Sequence, residues 1–324
     1  MGMETRPESQ LAMNDGTPSS SPEHVPTLGF IGAGAVAHAL APALAQAGYP
    51  VVSIFSRSEA SAATLAARIP RCAVATSAEA ITAAARVIFL TVPDDVIAPL
   101  AASLPWQPGS AAIHCSGATP LTVLAAARAR GVLVGALHPL LSISRAAALE
   151  DRPGRFDGCT FAVNADPTLL PLLTTMVARL GARPLPLADE ARIPYHLAAV
   201  IVSNYTVALL QTAAKLWSTF QASRDAALAG LVPLLRSVVD NTARQGIPGA
   251  LTGPIARGDL GTLQAHLAYL RSPVTRDRFP QLADIDQIYR RLGLLTISVA
   301  LEKGSIDEQQ ADAIAALLSA ASNE

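Results

Sequence analysis

Several short stretches of this chain carry residues whose types and spacing suit chemistry. Gly32-Ala33-Gly34-Ala35-Val36-Ala37 is a G-x-G-x-x-A run between the apolar segment "TLGFI" and an alanine- and leucine-rich one. Gly32 permits a tight turn, Gly34 lets a pyrophosphate approach the backbone, and Ala37 allows close helix–sheet packing. The helix start at Ala35 and Val36 offers free N–H groups and the positive end of a dipole. A second apolar segment, "VVSIF", ends in Ser56-Arg57-Ser58. A carboxylate at that place would accept from a ribose 2′-hydroxyl. An arginine fork pairs instead with a 2′-phosphate, with Ser56 and Ser58 donating to the remaining oxygens. The expected cofactor is NADP(H).

Proton chemistry has its own candidates. "FLTVPDDVI" sets Thr91, Val92 and Pro93 at a strand end, along the expected nicotinamide ribose, with Asp94 and Asp95 starting the next helix. The next two strand ends carry His114 and Ser116 in "HCSG" and His138 in "LHPL". Histidine can give a proton near neutral pH. His114, inside its strand, reads as a buried structural residue, whereas His138, ahead of Pro139 in a loop, reads as functional. His196 and Asn204, eight residues apart, fall on nearly one face of a later helix. His196 is the candidate acid, with Asn204 holding the substrate and Ser116 or His138 assisting or competing. A histidine packing at a helix start is the alternative. Arg257 in "ALTGPIARGDLGT" either clamps a substrate carboxylate or pairs with Asp259 in a structural loop.

These residues need elements to position them. From Thr27 to about residue 188, short β-rich runs alternate with helical ones: "TLGFI", "VVSIF", "CAVA", "RVIFLTV", "AAIHC", "VLVGAL", "CTFAVNA" and "RPLPL" read as strands. That alternation predicts an α/β Rossmann fold, doubly wound on a mainly parallel sheet. Beyond 188 only helical periodicity remains, over about 193–220, 224–245, 260–270, 280–302 and 307–321. The expected organisation is a disordered leader at 1–26, a Rossmann domain at 27–188 and an all-α domain at 189–324.

Composition narrows the function classes. Net charge is −1 with 15% charged residues, so nucleic acid and anionic membrane surfaces are not the expected partners. Lys215 and Lys303 are the only lysines among 24 basic residues, which removes lysine from most catalytic roles. Three cysteines without CxxC spacing argue against a disulfide framework or zinc site and for a reducing cytoplasm. The start of the chain lacks the pattern of a secretion signal. No charge falls between His196 and Lys215, about a bilayer's length. Polar residues punctuate that run, so the expectation is a helix buried in a domain core or a subunit interface rather than a membrane span.

Taken together, "GAGAVAHALAPALAQAGYPVVSIFSRS", "FLTVPDD", "HCSG", "HPL", "YHLAAVIVSNY" and "ALTGPIARGDLGT" resemble a bacterial family with a Rossmann-like NADP-binding half. Its C-terminal helical half is a domain of unknown function, number 2520. The resemblance runs from about Thr27 to Ala300 and extends to ketopantoate reductase, pyrroline-5-carboxylate reductase and the β-hydroxyacid dehydrogenases. It implies an NADPH-linked reductase of a small molecule, working between two domains, usually as a homodimer. In ketopantoate reductases and β-hydroxyacid dehydrogenases, a lysine stands one helical turn before the asparagine that Asn204 matches. Here that position is Val200, and Lys215 lies three turns beyond Asn204. Three readings stay open: reduction of a ketopantoate-like keto acid, reduction of an imine that needs no strong acid, and a non-catalytic NADP(H) sensor.

Overall fold

In a computed structural model the described residues are 25–320. Apart from Val25 and Pro26, the expected leader at 1–26 lies outside them. The described residues form two compact units, divided between Ala199 and Val200. The division falls within the helix that follows the last strand.

The first unit is built on β1 (Leu28–Ile31), β2 (Val51–Phe55), β3 (Ala73–Val74), β4 (Val87–Leu90), β5 (Ala111–His114), β6 (Leu133–Pro139), β7 (Thr160–Ala165) and β8 (Arg183–Pro186). Their order across the sheet is β3-β2-β1-β4-β5-β6-β7-β8. Every pairing is parallel except β6 with β7. The helices of this unit are α1 (Ala35–Gln46), α2 (Glu59–Ala66), α3 (Ala78–Ala84), α4 (Asp94–Ser103), α5 (Ala125–Arg128), α6 (Arg145–Leu149), α7 (Leu170–Arg179) and the start of α8 (Arg192–Val202).

Strand side chains alternate between faces, and both faces are buried, as a parallel sheet covered by helices requires. Leu28, Phe30, Val87, Phe89 and Ile113 join one core cluster, while Ile31, Ile88, Leu90 and Ala112 join the other. Phe30 and Phe89 stack at 4.8 Å across the β1–β4 pairing. Strand order reverses at that same pairing, the place where open α/β sheets leave a crevice at their carboxyl edge.

His138 is not in a loop. Antiparallel pairing with β7 sets it opposite Ala162 and carries β6 through to Pro139. Proline can end a strand because there its missing N–H costs no ladder bond.

The second unit comprises the end of α8, α9 (Asn204–Trp217), α10 (Arg224–Ala250), α11 (Leu260–Arg271), α12 (Pro273–Arg278), α13 (Leu282–Glu302) and α14 (Glu308–Ser319). Its core gathers Leu263, Leu267, Ile297, Ala300, Ile314 and Leu318. α10 bends at Gly246, where φ is +74°. The sequence misses α12, a six-residue helix capped by Ser272 with proline at its first position.

The expected single helix over 193–220 is two, broken at Ser203. Thr206 Oγ1 donates to the Val202 carbonyl at 2.6 Å, a back-bond of the kind that bends helices. Nor is the segment a core helix. Ile193, Val202 and Val207 are 65%, 74% and 68% exposed. Among the described residues, Asp189–Phe220 is the one segment long and apolar enough to cross a membrane.

Candidate active site

Two arrangements at the carboxyl edge of the first unit's sheet could do chemistry. The first is a cavity of about 410 Å³ lined by Gly32, Ala33, Gly34, Ser56, Arg57, Ser58, Thr91, Val92 and Pro93, all of them sequence candidates. Gly32 has φ +105°, and a Cβ there would run into the Thr91 carbonyl oxygen, so the turn admits only glycine. Thr91 Oγ1 locks the turn by donating to the Gly32 carbonyl at 2.8 Å. Ser61 Oγ does the same for the Ala33 carbonyl at 2.7 Å. Ala35 and Val36 form the first turn of α1, which has no side-chain cap. Their side chains do not line the cavity, and what they offer is backbone N–H.

The "SRS" stretch does two jobs. Ser56 Oγ accepts from the Ser58 N–H, and Ser58 Oγ caps α2 by accepting from the Ser61 N–H, both at 3.3 Å. Lone pairs used this way leave both hydroxyl protons free to donate. Arg57 is exposed and has no ion-pair partner among the described residues. Arg145, first residue of α6, lines the same cavity and brings a second guanidinium. Sequence reasoning missed it because it lies some 90 residues from Arg57, on the far side of four strands.

The second arrangement joins β5, β6, α4 and α8. Ser116 Oγ donates to Asp94 Oδ2 at 2.7 Å, lies 2.8 Å from Thr119 Oγ1, and accepts from the Thr119 N–H at 3.0 Å. Its one proton is thereby engaged within the protein. Asp94, the first residue of α4 after the Pro93 N-cap, is the partner of this serine. His138 Nδ1 is 2.9 Å from the Tyr195 hydroxyl. The His138 and His196 rings stand nearly perpendicular with centroids 6.2 Å apart.

Gly117 lies between the two imidazoles. A Cβ there would be 2.8 Å from His196 Nδ1 and 2.9 Å from His138 Nε2. Both nitrogens therefore close on the same backbone point, and only glycine leaves room for them. His196 Nδ1 is buried without a hydrogen-bond partner.

α8 is brought to this site by a buried anchor. Arg192, fully buried, donates through Nε to Asp189 Oδ1 at 3.1 Å and through Nη1 to the Ser116 carbonyl at 3.3 Å. Asp189 also accepts from the Leu121 N–H at 2.8 Å and from Asn164 Nδ2 at 3.0 Å. Burial alone would raise the Asp189 carboxyl, but these bonds outweigh it and hold the pKa below the usual value. The sequence hint was an Asp–Arg pair at i, i+3 just before "YH".

Electrostatics sort the titrating groups. Burial, the neighbouring His196 and Arg192 push His138 down to about 4, against the pull of Asp94. His114, wholly buried in β5 with both ring nitrogens unpartnered, is pushed by burial and then Arg192 to about 4. Burial pushes the Tyr195 phenol up to about 12. At neutral pH His138 and Tyr195 are a set of neutral, hydrogen-bonded donor and acceptor groups beside Gly117. Such a set can hydrogen-bond and orient a small polar group.

The remaining candidates lie in the second unit. Asn204, exposed, begins α9, and its Oδ1 accepts from Ser203 Oγ at 3.3 Å. Arg257 is exposed, with Nη2 3.9 Å from Asp259 Oδ2, while Asp259 caps α11 through the Thr262 N–H. Among the described residues, no group of three or more His, Cys, Asp or Glu side chains is disposed to hold a metal ion.

No curated protein matches the chain. Among solved structures, a Bacteroides fragilis protein provisionally named an NADP oxidoreductase is 24% identical with a TM-score of 0.64, covering 80% of this chain and 96% of its own. A Thermotoga maritima protein is also 24% identical, at TM-score 0.63, covering 86% and 99%. Pyrroline carboxylate reductase from Plasmodium falciparum, solved with NADP bound, is 13% identical at TM-score 0.53, covering 91% and 98%. At these identities the likeness is one of fold. By family description, residues 15–139 match the Rossmann-like domain and residues 159–296 match DUF2520, a domain of unknown function. The chain is a Rossmann-like protein carrying a C-terminal DUF2520 domain.

Proposed function

We propose that the protein is an NADP(H)-dependent oxidoreductase of a small carbonyl acid of the ketopantoate kind. The observation that carries this reading is Arg57, free of any counter-ion among the described residues and lining the same cavity as the Gly32–Gly34 turn. The cavity suits the cofactor: a glycine cradle that a Cβ would fill, uncapped helix N–H groups, two serine hydroxyls free to donate and two guanidiniums. Gly32, Ala33, Gly34, Ala35 and Val36 would face the pyrophosphate; Ser56, Arg57 and Ser58 would hold the 2′-phosphate; Thr91, Val92 and Pro93 would border the nicotinamide ribose. When bound, NADPH supplies hydride.

His196 and His138 flank Gly117 and would meet the reacting oxygen or nitrogen, with His196 as the proton donor. Ser116, bound to Asp94, would hold the loop that brings Gly117 between them. Asn204 and Arg257 are the substrate-binding candidates of the second unit, on residue type and the family resemblance alone. The three free thiols fit a reducing cytoplasm. Exposed apolar side chains stand around α8 and the start of α9, Ile193, Val202 and Val207 among them, and such exposure fits an interaction surface. A second copy of the chain is the proposed cover, giving a homodimer that sedimentation would reveal.

An imine substrate is the second reading. It is favoured by the neutrality of His138 and by Val200 in place of a lysine, since a substrate that arrives protonated needs no strong acid. Loss of reduced-nicotinamide absorbance with ketopantoate, or with a cyclic imino acid, separates the two. NADPH binding no tighter than NADH binding would overturn the cofactor assignment.

A further inference from the structure

The Tyr195–His138 pair raises a question that the hydride chemistry leaves open: which nitrogen of His138 carries the proton. The phenol oxygen is 2.9 Å from Nδ1, and the rings meet edge-on at 87°. Nε2, on the far side of the imidazole, lies beside Gly117. Two hydrogen-bond patterns satisfy the contact. The phenol can donate to a bare Nδ1, leaving hydrogen on Nε2, or Nδ1–H can donate to the phenol oxygen, leaving Nε2 bare.

Chemistry favours the first. A phenol is a stronger acid than a neutral imidazole N–H, and an imidazole nitrogen is a stronger base than a phenol oxygen. The only hydrogen-bond partner of the Tyr195 hydroxyl among the described residues is His138 Nδ1, so in the second pattern the phenol proton would go unused within the protein. Burial keeps the phenol protonated and the imidazole neutral, so each brings one proton. Around the imidazole stand His196 and Arg192 from α8 and Asp94 from α4. None of them is hydrogen-bonded to Nε2.

We propose that Tyr195 is a positioning residue that holds His138 as its Nε2–H tautomer, so that His138 offers a neutral N–H donor to the reacting oxygen or nitrogen beside Gly117. The role as donor rests on the oxidoreductase reading; the tautomer does not. Across Gly117, His196 Nδ1 is the opposing nitrogen. A group that accepts from one ring and exchanges a proton with the other, such as a carbonyl becoming a carbinol or an imine becoming an amine, matches that pair. His138 orients and polarises the group, and its own proton stays in place.

Long-range proton–nitrogen NMR correlation on histidine-¹⁵N-labelled full-length protein, without cofactor or substrate, reads the tautomer directly. His138→Gln identifies the signals by their loss. The expected wild-type spectrum shows a protonated Nε2 and a bare Nδ1 for His138, and Tyr195→Phe moves it to a mixture of both tautomers. A wild-type Nδ1–H form overturns the proposal, as does a spectrum unchanged in Tyr195→Phe. Were that variant to fail to fold, the wild-type spectrum alone would decide. For turnover, Tyr195→Phe is expected to lower kcat roughly tenfold at unchanged NADPH affinity. A correct tautomer without turnover of any substrate would spare the inference and sink the enzymatic reading instead.

Discussion

Replacing Gly117 by alanine puts one methyl group between the two imidazoles. The new carbon would be 2.8 Å from His196 Nδ1, 2.9 Å from His138 Nε2 and 3.0 Å from its Cε1, whereas ordinary contact begins at 3.4 Å. Both rings must therefore withdraw by about 0.5 Å. Gly117 is not among the glycines with positive φ, so the backbone accepts alanine and the cost is one of packing, about 1–3 kcal/mol of stability. The tolerance of a reacting geometry is about 0.5 Å, and a misplacement of about 1 Å costs on the order of a hundredfold. The expected result is a kcat roughly ten- to a hundredfold lower. NADPH affinity should not change, because Gly117 does not line the cofactor cavity. Steady-state NADPH oxidation gives kcat, fluorescence titration gives cofactor affinity, and thermal melting checks the fold. Wild-type turnover from a folded Gly117→Ala protein would refute the convergence of the two imidazoles as the basis of catalysis.

Other perturbations reach different parts of the first unit. Arg57→Ala should weaken NADPH binding about tenfold and leave NADH binding alone; equal losses for both would remove the 2′-phosphate role. Asp189→Ala leaves the fully buried Arg192 without its carboxylate and should cost about 3–5 kcal/mol in chemical denaturation. A loss below about 1 kcal/mol would mean that the Ser116 carbonyl suffices as anchor. His114 lies at about 4 when folded against 6.5 ordinarily, so the unfolded chain binds the extra proton between those values. Stability from this group is complete above pH 6.5 and drains away as pH falls toward 4, by on the order of 3 kcal/mol. His114→Leu should lessen the fall of melting temperature over that window, His138 keeping its own share, and an unchanged acid slope would show that His114 is not among the groups responsible.

Much of the first unit was legible because its signals are local. All eight strands stand out as short β-rich runs, and a glycine turn followed by "SRS" needs only strand ends to define a cavity. The antiparallel direction of β7 was not legible, since pairing direction depends on partners rather than on a strand's own residues, and so the sequence reads His138 as a loop residue. Tyr195, Asp189, Arg192 and Arg145 were passed over for a related reason. Each acquires its role from a partner far along the chain, as Asp189 does from Leu121 and Asn164. Gly117 sat in plain view within "HCSG", but only the packing of two imidazoles against it shows why it cannot be larger. In the helical half, periodicity located the long helices, yet the break at Ser203 falls inside one continuous apolar pattern and so leaves no mark in it.

The cations around the cofactor cavity are arginines, and both lysines of the chain belong to the second unit. A guanidinium does not lose its proton at any pH a protein survives. The charge that these two guanidiniums would present to an incoming dinucleotide phosphate is therefore constant from neutral to strongly alkaline solution. The same choice closes the cavity to acetylation, acylation and glycation of amines. A cell could regulate this protein in many ways, but masking a lysine at its nucleotide cavity is not one of them.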